Sequence, residues 1–207
     1  LDADPITANL ESSLLCKAFT PGKTKAVFIA HALGNPFNIF EILTFCREHD
    51  LWLIEDNCDS LGSIYSMPRA EAENLGIYKD SPGITPNPNL IQRYTGTWGD
   101  ISTQSFYPPH HMTMGEGGFI ATNSQRTRTI LASMRDWGRA CYCNTMKPGN
   151  VTSETACGNR FKNWLPGLKD AVYDHRYVFD EIGYNLKPLD LQAAMGLQQL
   201  DKLPMLD

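Results

Sequence analysis

Two short segments hold residues whose types and spacing can do chemistry. The first is IEDNCDSLG, residues 54–62, in which Asp56 closes an apolar run. A carboxylate at the carboxyl end of a buried strand can pair with a protonated heterocyclic nitrogen of a bound cofactor. It can equally cap the turn that follows. The second is SFYPPHHMTMGEGG, residues 105–118. The hydroxyl of Ser105, the adjacent imidazoles of His110 and His111 and a Gly-rich turn can together bind a phosphate and supply a base. Taken singly, paired histidines and a GEGG turn also suit an ordinary loop.

For these residues to act together, the chain must place them at the ends of neighbouring strands. Residues 24–31 (TKAVFIAH) form an apolar run closed by Gly34, Asn35 and Pro36, which predicts a buried strand. Residues 38–49 predict an amphipathic helix with Ile39, Ile42, Leu43 and Cys46 on one face and Asn38 as N-cap. Residues 51–55 (LWLIE) predict a second strand. Strand, helix and strand at this spacing make a βαβ unit, hence a parallel sheet with helices outside. Ligands of such sheets sit at the carboxyl ends of the strands, where Asp56 and Cys58 fall. Further on, 101–107 and 118–122 predict short strands on either side of the Pro-Pro-His-His turn. Residues 124–137 predict a helix capped by Ser124, and 188–203 a helix with Pro188 near its first turn. Residues 66–92, with Pro68, Pro82, Pro86 and Pro88, read as a surface insertion with at most one short helix. Residues 140–175 carry three Cys and little periodicity, and read as a long loop held by something other than a core.

The 207 residues include 18 Lys+Arg and 23 Asp+Glu, a net charge of −5, with 42% hydrophobic residues. This is ordinary for a globular chain. Mild acidity without a Lys/Arg cluster argues against a nucleic-acid or anionic-membrane surface. No apolar run reaches the roughly 18 residues a membrane span needs. The N-terminal stretch lacks the basic and apolar regions of a secretory signal. The six Cys are therefore expected in a reducing cytoplasm, where thiols bind metals or stay free. Cys16 and Cys46 fall at helix-like apolar positions and read as core. Without an initiator Met, and stopping just after a helix-like segment, the chain reads as a fragment cut at both ends.

In order, IEDNCDSLGS, YTGTWGDISTQSFYPPHHMTMGEGGFI, DWGRACYC and IGYNLKPLDLQAAMGLQQL resemble the DegT/DnrJ/EryC1/StrS sugar aminotransferase family. The resemblance implies an α/β fold, the fold-type-I pyridoxal-phosphate-transferase-like (aspartate-aminotransferase-like) three-layer sandwich. Residues 1–187 then belong to the central part of the cofactor-binding large domain, and 188–207 form a helix leading toward a C-terminal small domain. The family places its cofactor-anchoring Lys five residues after the Ser of the SF motif, and here that position is His110. The exchange removes the amine but keeps a proton carrier near neutral pH, so ordinary transamination is not expected. The same replacement marks the CDP-4-keto-6-deoxyglucose 3-dehydratases of 3,6-dideoxyhexose and lipopolysaccharide biosynthesis, which use pyridoxamine phosphate and a [2Fe–2S] cluster.

In that branch one Cys follows the acidic pair, then come a C-x-C and a further Cys. The resemblance thus implies Cys58, Cys141, Cys143 and Cys157 as cluster ligands. Four thiolates are what a [2Fe–2S] cluster needs; zinc accepts the same set, and four free thiols are the plain alternative. The Cys58–Cys141 and Cys143–Cys157 intervals are longer than the family pattern, through the 66–92 segment and a loop extension around Lys147–Ser153. By the same resemblance Asp56 pairs with the cofactor's pyridinium nitrogen, Asp59 lies beside the ring's oxygen side and Ser105 contacts the phosphate. Asn185 reaches the phosphate of a neighbouring subunit's site, Tyr107 lines the sugar pocket, and Lys187 stands where the family often has Arg. His110 is the base, and His111 is structural. The implied reaction removes the C3 hydroxyl of a nucleotide-linked 4-keto-6-deoxyhexose, with electrons from a separate NADH-dependent flavin iron–sulfur reductase, in a homodimer with shared active sites. Two other readings stand beside it. A cluster-free pyridoxamine-dependent sugar dehydratase has no reason to hold the C-x-C and Cys157. A non-catalytic, metal-stapled binding domain has no reason to gather Asp56, Ser105 and His110.

Overall fold

In a computed structural model, residues 1–140, 161, 167 and 171–203 are described. After a short helix α1 (Leu15–Ala18), strand β1 (Ala26–Ala30) crosses through helix α2 (Ile39–Glu48) to strand β2 (Trp52–Asp56). The two strands pair in parallel, from Ala26 opposite Trp52 to Ala30 opposite Asp56. Asn38 caps α2 as expected, its side chain accepting the Glu41 N–H at 3.3 Å. The helix buries Ile39, Ile42, Leu43, Phe45 and Cys46 in one core with Phe37, Leu51 and Leu53. Burying an aliphatic side chain of this size contributes about 1.5–3 kcal/mol, so this stripe rather than helix propensity holds α2 in place.

The 66–92 segment has more structure than a surface excursion. Strand β3 (Ile64–Pro68) pairs antiparallel with β4 (Leu90–Tyr94), and helix α3 (Arg69–Asn74) follows β3 directly. Met67, Ala72, Leu75, Ile77 and Ile91 are buried in the same core as α2. Beyond the ribbon, β5 (Ile101–Ser105) joins β2 in parallel and β6 (Gly118–Thr122) joins β5 antiparallel. The main sheet therefore runs β1-β2-β5-β6. Helix α4 (Gln125–Arg135) begins at Ser124, whose Oγ accepts the Thr127 N–H at 3.2 Å. Helix α5 (Asp190–Leu200) begins two residues later than expected, after Leu189, with Pro188 outside it.

Two further expectations fail. The first strand is not buried throughout: Val27 and Ile29 pack on the core, but Phe28 on the opposite face is 65% exposed. Among the described residues the face of β1 that carries Phe28 is left uncovered, and only the face of Val27 and Ile29 packs on the core. Cys46 is core, but Cys16 is exposed, because only Leu15 of the four-residue α1 is buried. Among the described residues no helix is long and apolar enough to cross a membrane.

The chain divides into two compact units, Leu1–Asn123 with Leu189–Asp207, and Ser124–Pro188. Within the first, Glu55 is fully buried inside β2. Its carboxylate accepts the backbone N–H groups of Gly96, Trp98 and Gly99 at 2.8, 2.8 and 2.6 Å, and meets His31 Nε2 at 3.0 Å. The His31 ring in turn stacks on Phe37 at 4.1 Å. From the other side, Asp100 Oδ2 accepts the Leu53 N–H at 2.9 Å. Residues 95–100 are thereby strapped to β2 just before β5 begins. Replacing Glu55 by Ala strands three backbone donors and His31, and is expected to lower the urea unfolding free energy by about 3–5 kcal/mol. Glu55→Gln, which keeps one acceptor oxygen, should lose less.

Candidate active site

The site is laid out by strand register. Asp56 ends β2 opposite Thr103 of β5, and Ser105 follows two residues later on the same face of the sheet. Gly118 lies opposite Ser105 on β6. A Cβ at Gly118 would sit 2.4 Å from the Gln104 carbonyl oxygen, so this glycine of the GEGG turn serves the close pairing of β5 and β6.

The loop after β2 is fastened to β5. Asn57 donates its backbone N–H to Thr103 O at 2.9 Å and its amide to Gln104 Oε1 at 2.9 Å. Gln104 Nε2 donates to Cys58 O at 3.4 Å, and Ser60 Oγ bonds Asn57 Oδ1. Asp56 Oδ1 accepts the Cys58 N–H at 3.1 Å. Burial pushes the half-buried Cys58 thiol up from 9.0 to about 11; its hydrogen bond to Asp56 and the Asp56 charge add to this, Thr103 pulls the other way, and the Asp59 charge raises it further. Cys58 is therefore a protonated thiol held between a carboxylate and a hydroxyl.

His110 hangs from the end of β5. Tyr107 N–H donates to Ser105 Oγ at 3.1 Å, and His110 N–H donates to Tyr107 O at 3.0 Å. Phe106 bonds both Gly117 and Met114 through its backbone, at 2.8 and 2.9 Å, which folds the Pro-Pro-His-His loop back on the strand. The His110 ring meets the Tyr107 ring edge-on, with centroids 5.8 Å apart. His110 Nε2 lies 3.4 Å from Asp59 Oδ1, whereas His111 is exposed.

Asp56, Cys58, Asp59, Ser105, Tyr107 and His110 thus all lie at the carboxyl ends of β2 and β5. Asn185 belongs to the second unit, where it is exposed and bridges Asp136. Lys187 Nζ lies 2.7 Å from Asp136 Oδ1 and 4.5 Å above the Trp137 ring, so its visible work is to tie residues 136–137 to 185–187. Cys141, Cys143 and Cys157 lie outside the described residues. Two positioning groups were not anticipated, His31 with Glu55 and the Asn57–Gln104 amide pair. A carboxylate inside the run LWLIE is a signal that something buried must meet it.

The residues suit a pyridoxal-type cofactor. Among the described residues the Asp56 carboxylate meets the backbone and thiol of Cys58, which leaves acceptor capacity for a protonated ring nitrogen. The Ser105 hydroxyl accepts a backbone N–H but donates to no described residue, so its hydrogen can go to a phosphate oxygen.

Residues 1–206 match the DegT/DnrJ/EryC1/StrS aminotransferase family. The chain belongs to that family. One relative is the lipopolysaccharide biosynthesis protein RfbH of Salmonella typhimurium, 42% identical over 98% of this chain and 39% of that protein. The dTDP-4-dehydro-2,6-dideoxy-D-glucose 3-dehydratase of Saccharopolyspora spinosa is 43% identical over 90% of this chain and 34% of its own length. Among solved structures, the Escherichia coli GDP-4-keto-6-deoxy-D-mannose-3-dehydratase with bound hydrated PLP superposes with a TM-score of 0.64. It is 28% identical over 99% of this chain and 42% of that one. An aminotransferase from Psychrobacter cryohalolentis shares the fold, with a TM-score of 0.64 at 21% identity. The expected fold-type-I architecture is therefore the one observed. The chain spans between about a third and two-fifths of the length of these relatives.

In metal-free protein, Asp56→Asn removes both contributions by which Asp56 raises the Cys58 thiol. A lower pKa means more thiolate at a given pH, and one unit is about tenfold. Alkylation of Cys58 by iodoacetamide at pH 8 is expected to quicken by about three- to tenfold, read by peptide mass mapping with exposed Cys16 as reference.

Proposed function

We propose that this chain is the cofactor-binding core of a pyridoxamine-phosphate- and iron–sulfur-dependent dehydratase. Its substrate is a nucleotide-linked 4-keto-6-deoxyhexose of the CDP-4-keto-6-deoxy-D-glucose type, which loses its C3 hydroxyl in 3,6-dideoxyhexose and O-antigen synthesis. The observation that carries this reading is His110. The end of β5, where the family anchors its cofactor through Lys, carries an imidazole beside the Asp59 carboxylate. Such a site can accept and return a proton but offers no amine.

Asp56 holds the protonated ring nitrogen, and Ser105 holds a phosphate oxygen. Bound pyridoxamine phosphate supplies an amine for the sugar ketone and a conjugated electron sink. His110 takes up a proton from the carbon acid so formed and returns it to the C3 oxygen, which leaves as water. Tyr107, exposed beside His110, lines the sugar pocket. Cys58 with Cys141, Cys143 and Cys157 would hold the [2Fe–2S] cluster, and its protonated thiol must give up a proton on binding iron. Two electrons from NADH, delivered singly by a flavin iron–sulfur reductase, together with two protons from solvent would complete the exchange of the C3 hydroxyl for hydrogen. Asn185 serves the neighbouring subunit's phosphate in a cytoplasmic homodimer.

Anaerobically purified protein should contain two irons and two acid-labile sulfides per chain, the content of one such cluster, both lost in Cys141→Ser. Absence of iron would leave the cluster-free dehydratase as the better reading. His110→Gln should keep iron and cofactor absorbance but lose dehydration by about 10²–10⁴-fold, the usual worth of a general acid–base group.

A further inference from the structure

A cavity of about 540 Å³ opens at the amino end of β5, the end opposite Ser105. Its size is that of a small-molecule site, and it lies wholly within the first compact unit. One wall is the 76–82 segment between α3 and β4. Ile77 and Ser81 are buried and anchor that segment. Ser81 N–H donates to Gln92 O at 3.0 Å, and Gln92 N–H donates to Asp80 Oδ1 at 2.7 Å. Between the anchors Tyr78 and Lys79 are exposed, Tyr78 by 65%. On the other side Ser102 lines the cavity while only 5% exposed, and its hydroxyl bonds no described residue. Gly96 (φ +76°) leaves the space before it open: a Cβ there would sit 3.3 Å from Ser102 Oγ. A polar group at a cavity wall with no protein partner takes one from whatever the cavity admits.

Four charged side chains line the cavity, Lys79 and Arg93 against Asp80 and Asp100, so their formal charges cancel. Each carboxylate gives one oxygen to a backbone N–H, Asp80 to Gln92 and Asp100 to Leu53, and keeps the other. Arg93 lies over the Trp98 ring at 5.3 Å and donates one N–H to Thr97 O, which leaves most of its five donors. A phosphate or nucleotide would meet two carboxylates here, and an amine would meet two cations. An uncharged ligand dense in hydroxyls suits all four groups, since each hydroxyl both donates and accepts. Tyr78 adds an apolar ring face for the C–H side of such a ligand. We propose that the 76–82 segment and the amino end of β5 form a binding site for an uncharged pyranose sugar. Ser102, Asp80, Asp100 and Arg93 meet its hydroxyls, and Tyr78 meets its ring. Ser102 and Ser105 are three residues apart, about 10 Å along β5 and on opposite faces. One sugar ring cannot reach both, so this sugar is held without being transformed, whatever the role of His110.

The test is saturation-transfer NMR on the purified protein with the methyl glycosides of D-glucose, D-galactose, D-mannose and L-rhamnose. At least one is expected to bind, and to keep its signal when CDP is added in excess. Its Kd should rise about two- to tenfold in Ser102→Ala, the worth of one neutral hydrogen bond, and at least as much in Tyr78→Ala. Tyr78 is exposed, so its replacement leaves the fold intact and keeps the test decisive even if Ser102→Ala folds poorly. Absence of transfer to every glycoside overturns the proposal. So does a Kd indifferent to Tyr78→Ala, or to a folded Ser102→Ala, because the sugar then sits elsewhere. Displacement by CDP would place it in the substrate pocket at the other end of β5 and equally overturns the site. Methyl phosphate is the counter-probe: binding that depends on Tyr78 and Ser102 in the same way would make this an anion site and reject the sugar.

Discussion

The Glu55 carboxylate is the constraint on which the site depends. It is fully buried, and three backbone N–H groups and His31 converge on it. A buried anion is tolerable only when its lone pairs are met, so the loop at 95–100 has little freedom in how it leaves the ribbon and enters β5. That entry sets the register of β5 against β2, and the register puts Thr103 opposite Asp56. Because successive side chains of a strand alternate faces, the acid that organises the loop and the acid proposed to meet a cofactor can be neighbours in sequence and still do separate work.

Around Asp56 the chain concentrates negative charge and weak acids. Cys58 lies between Asp56 and Thr103, and Asp59 lies by His110. The loop carrying all three is bound to β5 through Asn57 and Gln104. The groups are thus fixed relative to one another by main-chain and amide hydrogen bonds, which resist small displacements better than exposed ion pairs do. Rigid support of this kind is what proton transfer over short distances requires.

Much of this was legible in the sequence. The apolar run TKAVFIAH, the amphipathic stretch with Asn38 before it and the run LWLIE led directly to the existence of β1, α2 and β2, because local patterning and tertiary packing agree there on the elements, though not on the exposure of one face of β1. The position of Asp56 at a strand end followed from the βαβ unit, and those of Ser105 and His110 from the two short strands on either side of the Pro-Pro-His-His turn. The ribbon of β3 and β4 did not, since its strands are short and four prolines punctuate the segment. Its buried Met67 and Ile91 contribute to a core whose other members lie far along the chain. Nor did the contact between Asp59 and His110 follow, as it joins two loops that share no periodic pattern.

The main sheet also has a property separate from its chemistry. Among the described residues β1 and β6 are its outermost strands, each paired on one side only, and Phe28, Phe119 and Ile120 along them are exposed. Unpaired strand edges bearing apolar side chains are templates for further strand addition. A polypeptide presenting both edges bare would be prone to stack through them, and its solubility would rest on whatever covers them.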